Sequence, residues 1–233
     1  MYQQIKILED NDKALCLSTI TDYTFASTNS QVPLAYYELF IASTTYPIMF
    51  TKTKDGNYNA LAFLSLKSGT NLYISSSNSY EENVYKPAFF TNFPFIYATD
   101  NSTLTLAYDT NSGLLDKKIG QPLFNKQGEP TDILKSKIEK LNQYQNGMQE
   151  ISEIIRLLDE AGVLITATEP LYFGESYLDV KGFMYIDEEK LNNLPEATLL
   201  SLTQKGAYKG AIAQLISLNN FERLVHKQNT QGN

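Results

Sequence analysis

Few residues in this chain of 233 are of a type that does chemistry near neutral pH. There is one cysteine, Cys16, and one histidine, His226, which excludes an intramolecular disulfide, any site needing two histidines and the usual zinc ligand sets. A Ser-His-acid triad would have to draw on His226, beside a polar C-terminus. What remains is carboxylates and tyrosines. Glu38 follows Tyr36 and Tyr37, and a cleft lined by this carboxylate and the Tyr46 ring would make a ligand or partner surface. The plainer reading, a surface Glu on an amphipathic helix, is the one its neighbours favour. Glu129, in Gly128-Glu129-Pro130-Thr131, sits in a segment stiffened by proline, where it either positions a ligand or orients the entry to a helix. Asp187, Glu188 and Glu189 read as a helix start, because a calcium loop needs alternating oxygen ligands and a glycine. The candidate surface is therefore Glu38, Tyr46 and Glu129, with no catalytic residue, metal ligand or cofactor assigned.

The elements that must position these residues are punctuated by proline. From Val32 to Phe50 the chain reads as a loop, a short helix and a strand, with Pro47 ending the helix. The same grammar returns where Tyr85-Lys86-Pro87-Ala88-Phe89-Phe90 leads into Phe93-Pro94-Phe95-Ile96-Tyr97. Asp55-Gly56-Asn57 marks a hairpin between Ile48–Thr51 and Ala60–Leu66, and the run Leu61 to Leu64 is apolar enough for the middle of a sheet. Leu72 with Ile74 suggests a further strand. Leu104, Leu106 and Tyr108 alternate as a half-buried strand does.

Thr131 is placed to cap a helix with Leu134, Ile138 and Leu141 on one face. Asn146-Gly147 reads as its end, and a second helix carries Met148, Ile151, Ile155 and Leu158, giving an antiparallel helical hairpin. Lys135, Lys137 and Lys140 read as its solvated face. Strands follow over Val163–Phe173 and Leu178–Ile186, then helices begun by Asp187 and by Pro195-Glu196, and a last one through Ile212, Leu215, Ile216 and Leu218. The fold class is α+β: a largely antiparallel sheet with short helices in the N-terminal half, and a helical hairpin with further helices and strands in the C-terminal half. One unit is expected over residues 1–228, since no linker-like stretch divides the chain, with 229–233 a disordered tail.

A net charge of −7 and scattered basic residues argue against nucleic acid as the main partner, since phosphate binding needs concentrated Lys and Arg. No run approaches the length of a membrane span, and Met1–Asp10 has neither a basic nor a long apolar region, so the expected location is the cytoplasm, with association with the cell envelope or surface left open. With 16 Tyr, 12 Phe and no Trp, much of the core must be single rings, whose hydroxyls need partners.

Taken in order, Val32-Pro33-Leu34, Tyr46-Pro47-Ile48 with Phe50, Gly69 with Asn71-Leu72, Pro87-Ala88-Phe89 before Phe93-Pro94-Phe95, Leu123-Phe124, Gly128-Glu129-Pro130, Gly182-Phe183, Asp187-Glu188 and Lys190-Leu191, then Leu215 and Ser217-Leu218, form a set that resembles the SapC family of bacterial proteins, named from a surface-layer locus. The resemblance runs almost the whole chain. Two positions depart from the family's pattern: Asn125 stands where an Asp is common, and Gln214 where a His is frequent. Both remove an ionisable group, which lowers the expectation of acid–base catalysis. The resemblance implies a protein encoded with surface-layer or secretion machinery. The expected function is a non-enzymatic accessory protein of surface-layer biogenesis or export whose partner is a protein client or the export machinery. Two alternatives stay open: a peptide- or small-molecule-binding protein or enzyme using carboxylates and tyrosines, and a structural component of the surface layer.

Overall fold

A computed structural model describes residues 1–100, 103–174 and 176–231. In chain order the strands and helices are β1 (Ile5–Ile7), β2 (Cys16–Leu17), β3 (Gln31–Leu34), α1 (Leu39–Ser43), β4 (Ile48–Lys52), β5 (Tyr58–Phe63), α2 (Ala88–Thr91), β6 (Phe95–Asp100), β7 (Thr103–Asp109), β8 (Leu115–Asp116) and β9 (Gln121–Pro122). The second half holds α3 (Asp132–Glu160), β10 (Leu164–Thr166), β11 (Leu171–Phe173), β12 (Ser176–Leu178), β13 (Met184–Ile186), α4 (Glu188–Asn192), α5 (Glu196–Gln204), α6 (Ala207–Leu218) and α7 (Asn220–Gln231). The fold is α+β, and its strand pairs are antiparallel.

The main sheet has the order β10-β13-β4-β5-β3. Gly56, at φ 84°, supplies the left-handed turn between β4 and β5, and β5 lies inside the sheet as its apolar run requires. Two smaller sheets, β1-β7-β6 and β8-β2-β9, stand apart from it, and β11 and β12 form a two-stranded ribbon. Leu72 and Ile74 do not form a strand; Ile74 only bridges Tyr80. The expected strand over Val163–Phe173 is two, β10 and β11, in different sheets.

The helical hairpin expected around Asn146-Gly147 is instead one helix of 29 residues, α3. At 1.5 Å per residue this spans about 43 Å. Its N-terminal half places Leu134 and Leu141 in a core with Leu15, Leu17, Phe95, Tyr108 and Leu123. Its C-terminal half places Ile151, Ile154, Ile155 and Leu158 in the larger core under the main sheet. Gly147 is not a breaker but a point of close approach: a Cβ there would stand 2.7 Å from Ala35 Cβ and 3.0 Å from Tyr37 Cδ1. Thr131 is the N-cap residue, yet its hydroxyl donates to the carbonyls of Pro122 and Leu123 rather than capping the helix. Lys137 also leaves the solvated face expected of it. Its ammonium donates to Thr91 O at 2.9 Å, and burial holds its pKa down at about 8.

Residues 229–231, expected as part of a disordered tail, continue α7; residues 232 and 233 lie outside the described residues. Among the described residues no helix is long and apolar enough to cross a membrane.

Candidate functional site

Where β3 ends, Ala35 stays extended, the chain turns through a 3-10 segment over Tyr36–Glu38, and α1 begins. Glu38 is thus the third residue of a tight turn and points back: its Oε2 accepts from Ala35 N at 2.8 Å. Its Oε1 accepts from Ala88 N at 2.8 Å and from the Tyr85 hydroxyl at 2.9 Å. The carboxylate ties the first proline-punctuated unit to the first residue of α2 in the second. It is wholly buried, which overturns the surface position read from its neighbours. The physical reason is direction: the 3-10 turn folds its third residue back onto Ala35 N and toward Ala88, while Tyr37, Phe40 and Ile41 take the solvent side.

Burial pushes the Glu38 carboxyl above its ordinary pKa, and the N–H groups of Ala88 and Ala35 and the Tyr85 hydroxyl oppose that rise. In turn, burial and then the Glu38 charge push the Tyr37 hydroxyl up to about 12, and the same two causes raise Tyr85 and Tyr144.

Tyr46 is also wholly buried. Its ring meets Tyr73 edge-on at 4.7 Å between centroids, and its hydroxyl bonds the Tyr80 hydroxyl at 2.8 Å and the Tyr85 carbonyl. Tyr85 therefore serves both predicted residues, giving its hydroxyl to Glu38 and its carbonyl to Tyr46. Glu129 is not brought to them. It is exposed in a loop closed by Asn125, whose Oδ1 accepts from the backbone N of Gln127 and of Glu129 at 2.9 Å each, and whose Nδ2 donates to Glu129 Oε2 at 3.0 Å. An Asp at 125 would set one carboxylate against another, so the amide suits this loop. Asp187 acts as a cap, its Oδ1 accepting from Lys190 N at 3.1 Å.

Gln214 has a comparable role inside α6. Its Nε2 donates to Ile48 O at 2.9 Å and its Oε1 accepts from Ile186 N at 3.1 Å. The ladder between β4 and β13 has one registered pair, Met184 with Phe50, and the Gln214 amide supplies the missing donor and acceptor where those strands part. Ser217, one turn on, accepts from Ile48 N at 3.0 Å.

Sequence reasoning missed the surface these helices build. α1 and α6 run side by side, from the Tyr36 hydroxyl donating to Gly206 O at one end to Asn220 Nδ2 donating to Ser43 O at the other. α6 buries small or polar residues, Ala207, Gly210, Ala211, Ala213, Gln214 and Ser217, and leaves Ile216 54% exposed. α1 likewise leaves Phe40 and Ile41 open, Ile41 at 49%, and Lys209 of α6 lies over the Phe40 ring at 4.7 Å. The signal available in the sequence lies in α6, whose fully buried positions are small or polar; α1 buries Leu39 beside Ala42 and Ser43, and Ile212, Leu215 and Leu218 of α6 pack at the edge of the core.

The fold and these groups define an α+β protein whose buried polar side chains staple distant segments together and whose helical face is apolar toward solvent. A model of one family, SapC, matches residues 9–224. The chain belongs to the SapC family. Nothing among the curated proteins and nothing among the solved structures matches it.

Proposed function

We propose that this protein is a non-enzymatic accessory factor of bacterial surface-layer biogenesis or export, working in the cytoplasm by binding a protein client. The observation that carries this reading is the α1–α6 face, where Phe40, Ile41 and Ile216 stand partly in solvent while α6 turns Ala, Gly, Gln and Ser inward. Large apolar side chains left open on a helical face are the usual mark of a protein-binding surface, and since each of these is already about half buried, covering the remainder contributes roughly 0.5–1.5 kcal/mol apiece. The resemblance to a family named from a surface-layer locus supports a surface-layer or export component as that client. The carboxylate best placed for chemistry, Glu38, is occupied by three internal donors, which turns the reading toward recognition.

The test is affinity capture of the full chain from its host, compared with an Ile41→Glu/Ile216→Glu variant. A surface-layer or export component retained by the parent chain and lost from the variant is the expected result. Equal recovery by both, or recovery of no such component, would refute the assignment.

A further inference from the structure

A second surface, independent of the α1–α6 face, combines features of a ligand site. A cleft of about 760 Å³ opens between the β11–β12 ribbon and the chain leaving β5, lined in part by Ser65, Lys67, Ser68, Tyr177, Asp179 and Gln228. The ribbon is held inward by Leu178, which is buried, while Tyr177 is 61% and Tyr172 71% exposed. These two tyrosines are cross-strand partners, with ring centroids 6.3 Å apart and planes 39° from one another. They form a pair of amphipathic rings standing side by side, which a soluble protein seldom leaves in water without use.

The cleft floor supplies an oriented donor. Gln228 is 93% buried, and its Oε1 accepts from the Ser65 hydroxyl at 2.9 Å. That hydroxyl accepts in turn from Lys67 N at 3.0 Å, so the chain of bonds turns the amide oxygen toward Ser65. Gln228 Nε2 has no acceptor among the described residues, and the residue lines the cleft. At the rim, Asp179 Oδ1 accepts from Lys181 N at 3.1 Å, and Oδ2 has no donor among the described residues. The Lys67 ammonium has no carboxylate partner among the described residues.

We propose that this cleft binds a neutral oligosaccharide, with the Tyr172 and Tyr177 rings against the C–H faces of sugar rings and Gln228, Asp179 and Lys67 on their hydroxyls. Sugar hydroxyls both donate and accept, which matches a lining that offers both. One Lys and one Asp leave the rim without net charge, and a single Lys on a chain of net charge −7 does not suit a polyanion. β3 is an edge strand and its Gln31 reaches this cleft, so a peptide adding to that edge is the competing occupant; eight of the ten lining residues carry a hydroxyl, amide or charged group, which favours the sugar.

The experiment is to apply the full chain to an array of neutral and anionic glycans, then titrate the best neutral hexasaccharide and an uncharged Ser/Gly/Tyr hexapeptide by calorimetry. Selective binding of a neutral glycan is expected, weakened about tenfold or more by Tyr172→Ala and by Tyr177→Ala, a loss of at least ~1.4 kcal/mol. Both side chains are exposed, so the variants keep the thermal midpoint of the parent. Binding of anionic glycans only, of the peptide in preference, or of no neutral glycan would overturn the proposal. So would neutral-glycan binding that survives both substitutions. None of these outcomes bears on the α1–α6 face, so failure here is separable from failure of the client reading.

Discussion

Replacing Glu38 by Gln keeps the shape of the side chain and removes one acceptor and the charge. In the parent, three donors converge on the carboxylate at 2.8, 2.8 and 2.9 Å. Hydrogen bonds to a charged group contribute about 1.5–3 kcal/mol each, and neutral ones about 1. With the amide NH2 in place of Oε2, Ala35 N–H loses its acceptor and faces another donor, and the bonds to Ala88 and Tyr85 drop to the neutral value. Relief of the cost of burying an ionised group offsets part of this loss. The net expectation is a destabilisation of about 3 kcal/mol, which at a urea slope near the upper end of ~1–3 kcal/mol/M lowers the midpoint by about 1 M. The assay is equilibrium urea unfolding of parent and E38Q at neutral pH, joined to amide exchange at Ala88 and Ala35. A change below about 0.5 kcal/mol, the scale of an ordinary surface substitution, would refute the claim that this carboxylate clamps the two proline-bounded units. The pH dependence adds a second reading. Because the folded carboxyl has the higher pKa, the native state binds the proton more readily than the unfolded chain. Its contribution to stability therefore falls as pH rises through the window from the unfolded to the folded pKa, and E38Q lacks that slope.

Gly147→Ala gains about 1 kcal/mol of helix propensity but drives a methyl into Ala35 Cβ at 2.7 Å, so a net loss of about 1–2 kcal/mol is expected by thermal unfolding, partly restored by Ala35→Gly. Gln214→Leu leaves Ile186 N–H and loses a donor to Ile48 O in a dry interior, a cost of about 2–4 kcal/mol in urea unfolding, whereas Gln214→His, which has one donor and one acceptor when neutral, should lose less at pH 8 than at pH 5. Lys137 sheds its proton near pH 8 in the fold against 10.5 when free, so the unfolded chain holds the extra proton and stability rises with pH between those values; Lys137→Met should flatten that rise in chemical-denaturation series.

The parts of the fold legible in the sequence are those fixed by short-range chemistry. The β4–β5 hairpin follows from Asp55-Gly56-Asn57, the interior place of β5 from its apolar run, and the start of α4 from Asp187. Asn146-Gly147 is a turn signal and predicts a break that α3 does not have, whereas Leu141 and Met148 lie a heptad apart and the apolar stripe keeps its phase across Gly147. That unbroken phase was the better evidence, and the glycine answers to a neighbour, Ala35, far away in the chain.

The type of Glu38 marks it out in the sequence but its burial is not legible there, since its partners Tyr85 and Ala88 lie 47 and 50 residues away. Glu129 has a local explanation in Asn125, which residue order alone could have suggested. The exposed face of α1 and α6 was hidden because α1 is too short to display a period. The sequence places Tyr172 in a strand and Tyr177 between two strands, and only the ribbon's register sets them opposite one another.

The most direct measurement is site-specific photocrosslinking in the host, with the reactive residue placed at Ile216 or Ile41 and, as control, at the exposed Ile119. Mass spectrometry should identify a surface-layer or export protein joined to positions 216 and 41 and not to 119. Equal labelling at all three positions, or no such protein at any of them, would contradict the claim that the α1–α6 face receives a client.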